Sequence, residues 1–324
     1  MFVKDLQSGA AVDGVLVVRE AQLRAERDGS PYLRLLLGDR TGCLPALVSG
    51  DVASVSAVAT VGAAVHVTGC LQVSVRHGAE LQLSSLSAAA PGSFDELELQ
   101  DGPQRSAALM EADLRELIGT VQDRDLRRLL DTVFGPAAAT WLRYRSAPAA
   151  KRFHQAYRHG LLEHSLSVAQ AVSAISATFP GIDRDVAVAG ALLHDIGKLD
   201  AYAFEGAVIA MTDAGKLQGE IALGYYRVRR TIDDIDGFAE HTAEAVLHII
   251  LSHHGCLEHG SPVVPCTREA TLVHFCDNLG GRLGSFDRLE KELPSGERWS
   301  GFDRAIGSGA YFGDGQSAAQ RAAA

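Results

Sequence analysis

The chain is poor in several features, and each shortage closes a class of answers. It has no run of about 18 uncharged apolar residues, the length a membrane-spanning helix needs, and Met1 to Gly9 lacks a basic stretch followed by an apolar core. Neither membrane insertion nor a secretory leader is expected. The five cysteines, Cys43, Cys70, Cys256, Cys266 and Cys276, are odd in number and make no CxxC pair. That argues against a disulfide framework or cysteine-bound zinc and for reduced thiols in the cytoplasm. Lys and Arg number 30 against 40 Asp and Glu, a net charge of −10. Such a balance excludes the broad basic face of a tight nonspecific duplex binder and leaves local basic patches open. Among the first ninety residues Tyr32 is the only Tyr or Trp, so that half offers few aromatic rings on which bases could stack.

What is present is enough for two compact units: 324 residues, 47% of them apolar. Up to about residue 90 the apolar residues come in short runs parted by turn chemistry: Val12 to Leu23, Tyr32 to Leu37, Cys43 to Val48, Ala63 to Val75 and Leu81 to Leu86. With Asp51 to Val58 as a helix before the fourth strand, this predicts a five-stranded Greek-key barrel of the OB type, an SH3-like barrel being the alternative. From about Ser106 the apolar period becomes helical, with Leu109, Leu114, Leu117, Ile118, Val121, Leu126, Leu129, Leu130 and Val133 at three- and four-residue steps. Further helices are expected over Gly160 to Thr178, Asp183 to Gly197, Leu217 to Ile232, His241 to His253 and Arg268 to Leu279. The division predicted is 1–90 barrel, 91–105 linker, 106–308 helical domain and 309–324 flexible tail.

Ten of the 12 histidines lie between His154 and His274. A His-Asp pair such as His194-Asp195 arises about once by chance in a chain of this composition, so its context decides. An apolar helix, Ala187 to Leu193, sets that imidazole and carboxylate side by side just before Gly197. His164 lies on a second apolar helix, and Asp277 follows Leu272, Val273 and Phe275 on a third, where an unpaired carboxylate would be costly to bury. Two imidazoles and two carboxylates from three helices form a mixed N/O set suited to Mn²⁺, Fe²⁺, Co²⁺, Mg²⁺ or Zn²⁺ in a bundle core. His253-His254 ends the apolar run Val246 to Leu251 and offers two more imidazoles for a second ion. Two ions about 3.5–4 Å apart, bridged by a carboxylate such as Asp195, suit in-line phosphoester hydrolysis. Lys198, one helical turn beyond, is placed to neutralise a phosphate oxygen; a dipole partner at a helix end is the alternative reading.

At these residues the chain resembles the HD-domain phosphohydrolases, in which a histidine, a His-Asp pair and a later aspartate bind metal. The match narrows through Pro148-Ala149-Ala150-Lys151 with His154, Gly160-Leu161-Leu162-Glu163-His164, Leu193-His194-Asp195-Ile196-Gly197-Lys198, Ile250-Leu251-Ser252-His253-His254-Gly255 and Gly260-Ser261-Pro262-Val263-Val264-Pro265. These stretches look like the YhaM-type 3′→5′ exoribonucleases, which join an N-terminal OB domain to a C-terminal HD domain. The resemblance implies His164, His194, Asp195, His253, His254 and Asp277 as metal ligands, with Asp195 and Lys198 as the catalytic pair. It implies two divalent ions, Mn²⁺ first, with Co²⁺, Fe²⁺ or Mg²⁺ as alternatives.

The chain departs from that pattern in places. Where the family has a histidine in a Gly-His-Ile context, Gly219-Glu220-Ile221 stands, which makes Glu220 a candidate ligand for the second metal. Paired histidines are replaced by His154-Gln155, and His159 occupies a position where glycine is common. The usual tryptophan after the third strand is absent, and residues 1–90 balance seven Lys or Arg against eight Asp or Glu, leaving weak RNA binding or a protein contact open for that half. Trp141 to His159 interleaves Arg143, Arg145, Lys151, Arg152 and Arg158 with Tyr144, Phe153 and Tyr157, and Tyr225 to Arg230 forms a second basic aromatic stretch. Lys151, His154, Lys198, Tyr226 and Arg227 are therefore candidate contacts to a single strand, the alternative being a solvated face with its aromatics packed inward. The leading expectation is a 3′→5′ exonuclease acting on single-stranded RNA, with single-stranded DNA as a further substrate. A phosphohydrolase of small or cyclic nucleotides and a non-catalytic nucleic-acid-binding module are the alternatives. A cytoplasmic protein without membrane contact is expected, compatible with a homo-oligomer.

Overall fold

The computed structural model describes residues 2–25, 29–49, 51–74, 78–99, 102–103, 105–151, 155–205, 208–293 and 297–313. His154, with Arg152 and Phe153, lies outside them. The chain divides into two compact units, Met1–Asp101 with Gly206–Val208 and Ser285–Ala324, and Gly102–Glu205 with Ile209–Gly284.

In the first unit, β1 (Ala11–Ala25), β2 (Pro31–Asp39), β3 (Gly42–Ser49), β4 (Ala64–Ser74) and β5 (Gly78–Ala88) close a barrel in the order β1-β2-β3-β5-β4. The seam is a short parallel pairing of Ala46 with Leu81 and Leu47 with Gln82. Helix α1 (Val52–Val58) lies between β3 and β4, its first turn capped by the Asp51 carboxylate, which accepts from Ser54 N–H. This order and helix placement are the OB arrangement. Alternation selects the core: Leu33, Leu35 and Leu37 point inward with Val12, Leu16, Leu44, Val65, Val67 and Leu81, while Arg34 is exposed.

After the short α2 (Glu96–Leu99) the chain is mainly helical: α3 (Ala107–Gly119), α4 (Arg124–Phe134), α5 (Ala139–Ser146), α6 (Gly160–Ser176), α7 (Arg184–Leu193), α8 (Lys198–Ala201), a two-stranded sheet of β6 (Tyr202–Glu205) and β7 (Val208–Met211), α9 (Asp213–Gln218), α10 (Glu220–Asp233), α11 (Glu240–Ser252) and α12 (Arg268–Glu292). One core from Met110 to Cys276 unites this unit. Among the described residues, no helix is long and apolar enough to cross a membrane.

Three boundaries differ from the sequence reading. The helix expected to reach Gly197 stops at Leu193, so His194-Asp195 occupies a turn between α7 and α8. The helix expected over Leu217 to Ile232 is two, parted by Gly219 at φ 77°, a left-handed conformation that glycine adopts at no steric cost. Helix α12 runs through Gly280-Gly281 to Glu292, because Ser285 and Leu289 beyond the glycines are buried and packing outweighs propensity. The expected flexible tail also begins too early. Trp299 bridges Tyr311, Asp303 bridges Ser308, and Ala310 and Phe312 are buried against Phe286 and Leu289.

Candidate metal centre

Helix ends and close packing build the centre. Helix α7 is capped by Asp183, whose carboxylate accepts from Asp185 and Val186 N–H, and it ends at Leu193 with His194 as its C-terminal cap. The turn His194–Gly197 then meets α10 closely: a Cβ at Gly197 would lie 1.9 Å from Glu220 O and 2.5 Å from Gly224 N. Only glycine admits that approach. Gly190 likewise lets α7 press on α11, since a Cβ there would meet Ile249 Cδ1 at 2.3 Å. Helix α11 thereby brings His253, its C-terminal cap, to the same place. His164 projects from α6, and Asp277 from α12.

The imidazoles converge through Nε2. His164 Nε2 lies 3.0 Å from Asp277 Oδ1, 3.2 Å from His194 Nε2 and 3.4 Å from Asp195 Oδ2. His194 Nε2 is 3.3 Å from Asp195 Oδ2 and 3.7 Å from Asp277 Oδ1. Each opposite nitrogen is anchored: His194 Nδ1 on Ala191 O at 2.7 Å, His253 Nδ1 on Ile250 O at 2.8 Å, and His164 Nδ1 on Gln155 Oε1 at 3.1 Å. A carbonyl oxygen only accepts, so Nδ1 carries a hydrogen and Nε2 is the nitrogen left to ligate a metal, its own hydrogen toward the carboxylates giving way to the ion.

Burial makes the charge balance acute, because His164, His194, Asp195 and His253 are all buried. Burial raises the Asp195 carboxyl, but the Lys198 ammonium and His194 outweigh it and hold the group well below the usual carboxylate range. The same contest, decided by His164 and His194, lowers Asp277. Burial lowers His194, and the two aspartates more than reverse that. His253 is pushed down to about 3 by burial and by His194, which keeps its imidazole neutral. The pocket thus draws positive charge toward Asp195 and Asp277. Asp195 Oδ1 and His253 Nε2, 3.7 Å apart, are buried with no hydrogen-bond partner among the described residues, a cost that a cation between them would remove. His164, His194 and Asp277 also offer ligand atoms that all lie within 4.8 Å of one another. Donor set, tautomers and orphaned atoms fit a divalent cation.

The other sequence-predicted site residues are placed less centrally. Lys198 Nζ donates to Asp195 Oδ2 at 2.6 Å. His254 anchors Nδ1 on His259 O at 2.8 Å, with its ring 4.3 Å from that of His253. Glu220 is half-buried as the first residue of α10, and it is not among the residues whose ligand atoms cluster. Lys151 is exposed, and Tyr226 is exposed beside Arg230. Arg227 is bound to the Asp200 carboxylate, which Arg143 also contacts. In the described part of the first basic aromatic stretch Arg143, Lys151 and Arg158 are exposed while aromatic rings turn inward. Trp141 and Tyr144 are buried against Phe134, and Arg145 pairs with Glu111 at 3.0 Å.

Sequence reasoning passed over two supporting groups. Tyr144 donates its buried hydroxyl to Leu192 O at 3.0 Å, steadying the end of α7. Gln155 holds His164; the only signal was its place in a motif where a second histidine was expected. His159, left without a role, has φ 70° at the entrance to α6 and anchors Nδ1 on Arg145 O at 2.5 Å. The left-handed backbone explains a preference for glycine there.

Comparison with known proteins agrees with this geometry. Residues 161–281 match the HD domain family, a span that contains His164, His194, Asp195 and Asp277. The chain is 29% identical over 294 residues to the 3'-5' exoribonuclease YhaM of Shouchella clausii, covering 89% of each protein. It is 28% identical over 297 residues to the 3'-5' exoribonuclease YhaM of Bacillus subtilis, covering 89% of this chain and 90% of that protein. Among solved structures, the second OB-fold domain of replication protein A from Methanococcus maripaludis covers 29% of this chain and 98% of its own at 17% identity, with a TM-score of 0.23. The chain is thus similar to the YhaM exoribonucleases along 89% of its length, and its match to the HD domain family falls within that span.

Proposed function

We propose that this YhaM homologue is a metal-dependent 3′→5′ exoribonuclease that hydrolyses phosphodiester bonds of single-stranded RNA and releases nucleoside monophosphates. The observation that carries the reading is the convergence of His164 Nε2, His194 Nε2 and Asp277 Oδ1, with Asp195 Oδ2 on that side and Asp195 Oδ1 toward His253. A divalent cation there supplies Lewis acidity toward a phosphoryl oxygen and a hydrolytic nucleophile near neutral pH.

This chain's own residues do the holding and orienting. His164, His194 and Asp277 would hold one ion, and Asp195 would bridge to a second held by His253, His254 and Glu220. Mn²⁺ is the first choice, with Co²⁺, Fe²⁺ or Mg²⁺ as alternatives. Lys198 is pinned to Asp195 by its charge. Once that carboxylate is neutralised, the ammonium is free to take a phosphate oxygen. Exposed Lys151 and Tyr226 are contacts for the incoming strand, whereas Arg227 acts through its ion pair with Asp200. Single-stranded DNA is a further candidate substrate of the same site. A cytoplasmic location away from membranes belongs to the same proposal, which is compatible with a homo-oligomer.

The test is 5′-labelled RNA incubated with the protein in Mn²⁺ or in EDTA, beside free and cyclic nucleotides. A ladder shortening from the 3′ end in Mn²⁺ alone is expected. Turnover of the small nucleotides without a ladder would move the function to a small-nucleotide phosphohydrolase. RNA binding with no turnover and no bound metal would leave a non-catalytic module.

A further inference from the structure

We infer that Gln155 is a positioning residue that fixes the tautomer of His164 and so sets the cation affinity of the site, an inference that rests on His164 being a ligand. The hydrogen bonds force the assignment. Glu163 Oε2 accepts the Tyr157 hydroxyl at 2.5 Å and lies 3.4 Å from Gln155 Nε2. A carboxylate accepts and does not donate, so the amide must turn its N–H₂ toward Glu163. The amide oxygen then faces His164, 3.1 Å from Nδ1. An amide oxygen also only accepts, so His164 Nδ1 carries a hydrogen and Nε2, facing His194, Asp195 and Asp277, is the nitrogen left for a cation.

The segment holding Gln155 is itself fixed. Gln155 has φ 55°, and its carbonyl accepts from Ala149 N–H at 3.1 Å. A Cβ at Gly160 would lie 2.0 Å from Gln155 O, so the glycine opening α6 lets this loop sit against the helix that carries His164. His194 and His253 are anchored by carbonyls within their own helices, three residues back. His164 instead depends on a side chain nine residues before it. It is therefore the one of these three anchors that a single substitution can remove without altering the backbone.

The experiment has two arms. Nitrogen-15 NMR of the metal-free full-length protein reads which His164 nitrogen is protonated, and calorimetric titration reads Mn²⁺ affinity. Wild type should show Nδ1–H. Gln155→Met keeps the length of the side chain and removes the amide oxygen; it should lose the fixed tautomer and bind Mn²⁺ about 10–100-fold more weakly, the usual loss for an outer-shell partner. Gln155→Glu combined with Glu163→Gln exchanges the two groups, rebuilds an acceptor for Nδ1–H, and should restore the tautomer and most of the affinity. A merely structural loop residue would not be rescued by that exchange. An unprotonated Nδ1 on His164 in wild type, or Mn²⁺ affinity in Gln155→Met within twofold of wild type, overturns the inference. If wild type takes up no Mn²⁺, the cation reading fails; the NMR arm still judges whether Gln155 sets the tautomer.

Discussion

At the scale of single residues, the site is a balance of buried charge, and Asp195 is its pivot. One oxygen is shared by Lys198, His164 and His194, and the other faces His253. Asp195→Asn keeps the shape, removes the charge and leaves Lys198 buried without its counter-ion, so turnover should fall by at least about 10²-fold. Wild-type rates at saturating Mn²⁺ would sink the bridging role; a melting curve separates lost chemistry from lost fold. His159 poses a different question, because its φ of 70° strains any residue except glycine, yet its ring bonds Arg145 O. Replacement by Gly or Ala loses that bond equally, but only Ala keeps the strain. The Gly variant should therefore be the more stable of the two by about 1 kcal/mol in denaturant unfolding. The candidate ligands His164, His194 and Asp277, which the fold brings together, stood out in the sequence because imidazoles and carboxylates on apolar helices are costly to bury unpaired. Gln155 did not, because a glutamine's value here depends on which way its amide is turned, and only the neighbours Glu163 and His164 decide that.

At the scale of elements, glycines and ion pairs set how closely helices approach the site. Gly197→Ala would drive a Cβ into Glu220 O and Gly224 N. Forcing α8 away from α10 should cost about 1–3 kcal/mol, as overpacking does, and should move Asp195 and lower Mn²⁺ affinity with it. Unchanged stability and affinity in the purified variant would show that the turn yields. Asp200 ties α8 to both α5 and α10 through Arg143 and Arg227. Burial raises its carboxyl, but the hydrogen bonds and charges of Arg227 and Arg143 lower it below 3.8. A lowered folded-state value means stability that is present above the unfolded value and is lost as pH falls through the folded one. Asp200→Asn should then flatten the acid limb of the stability curve below about pH 4 and leave its shape near neutrality alone, which urea unfolding across pH can read. Apolar periodicity located the helices; their ends escaped it. The break at Leu193 and the split at Gly219 depend on close backbone approach and on a left-handed φ, neither of which hydrophobic spacing reports.

At the scale of the whole molecule, the described residues form two large cores that share no residue, beside a small third cluster of Leu289, Ala310 and Phe312. One is built inside the barrel from Val12 to Leu81, the other from Met110 to Cys276 among the helices. This partition was readable from the change of apolar period near residue 100. The packed segment that carries Trp299 and Phe312 was not, since its Gly- and Ser-rich composition imitates a tail and its burial comes from the far end of α12. Every residue assigned to metal or phosphate lies in the helical unit, and the barrel contributes none. On the proposed function, binding energy for a long strand and the chemistry at its end would sit on separate units. A fragment spanning 91–324 retains all of the second core, so it should fold, bind Mn²⁺ with wild-type stoichiometry and cleave a short oligonucleotide at a rate within about threefold of the full chain. On long RNA it should lose affinity, by roughly 10-fold if the barrel supplies one or two stacking or phosphate contacts. Melting and metal content establish first that the fragment is folded and loaded. A folded, loaded fragment that leaves short substrates intact would mean that the barrel takes part in the chemistry itself, and the division of labour would be wrong.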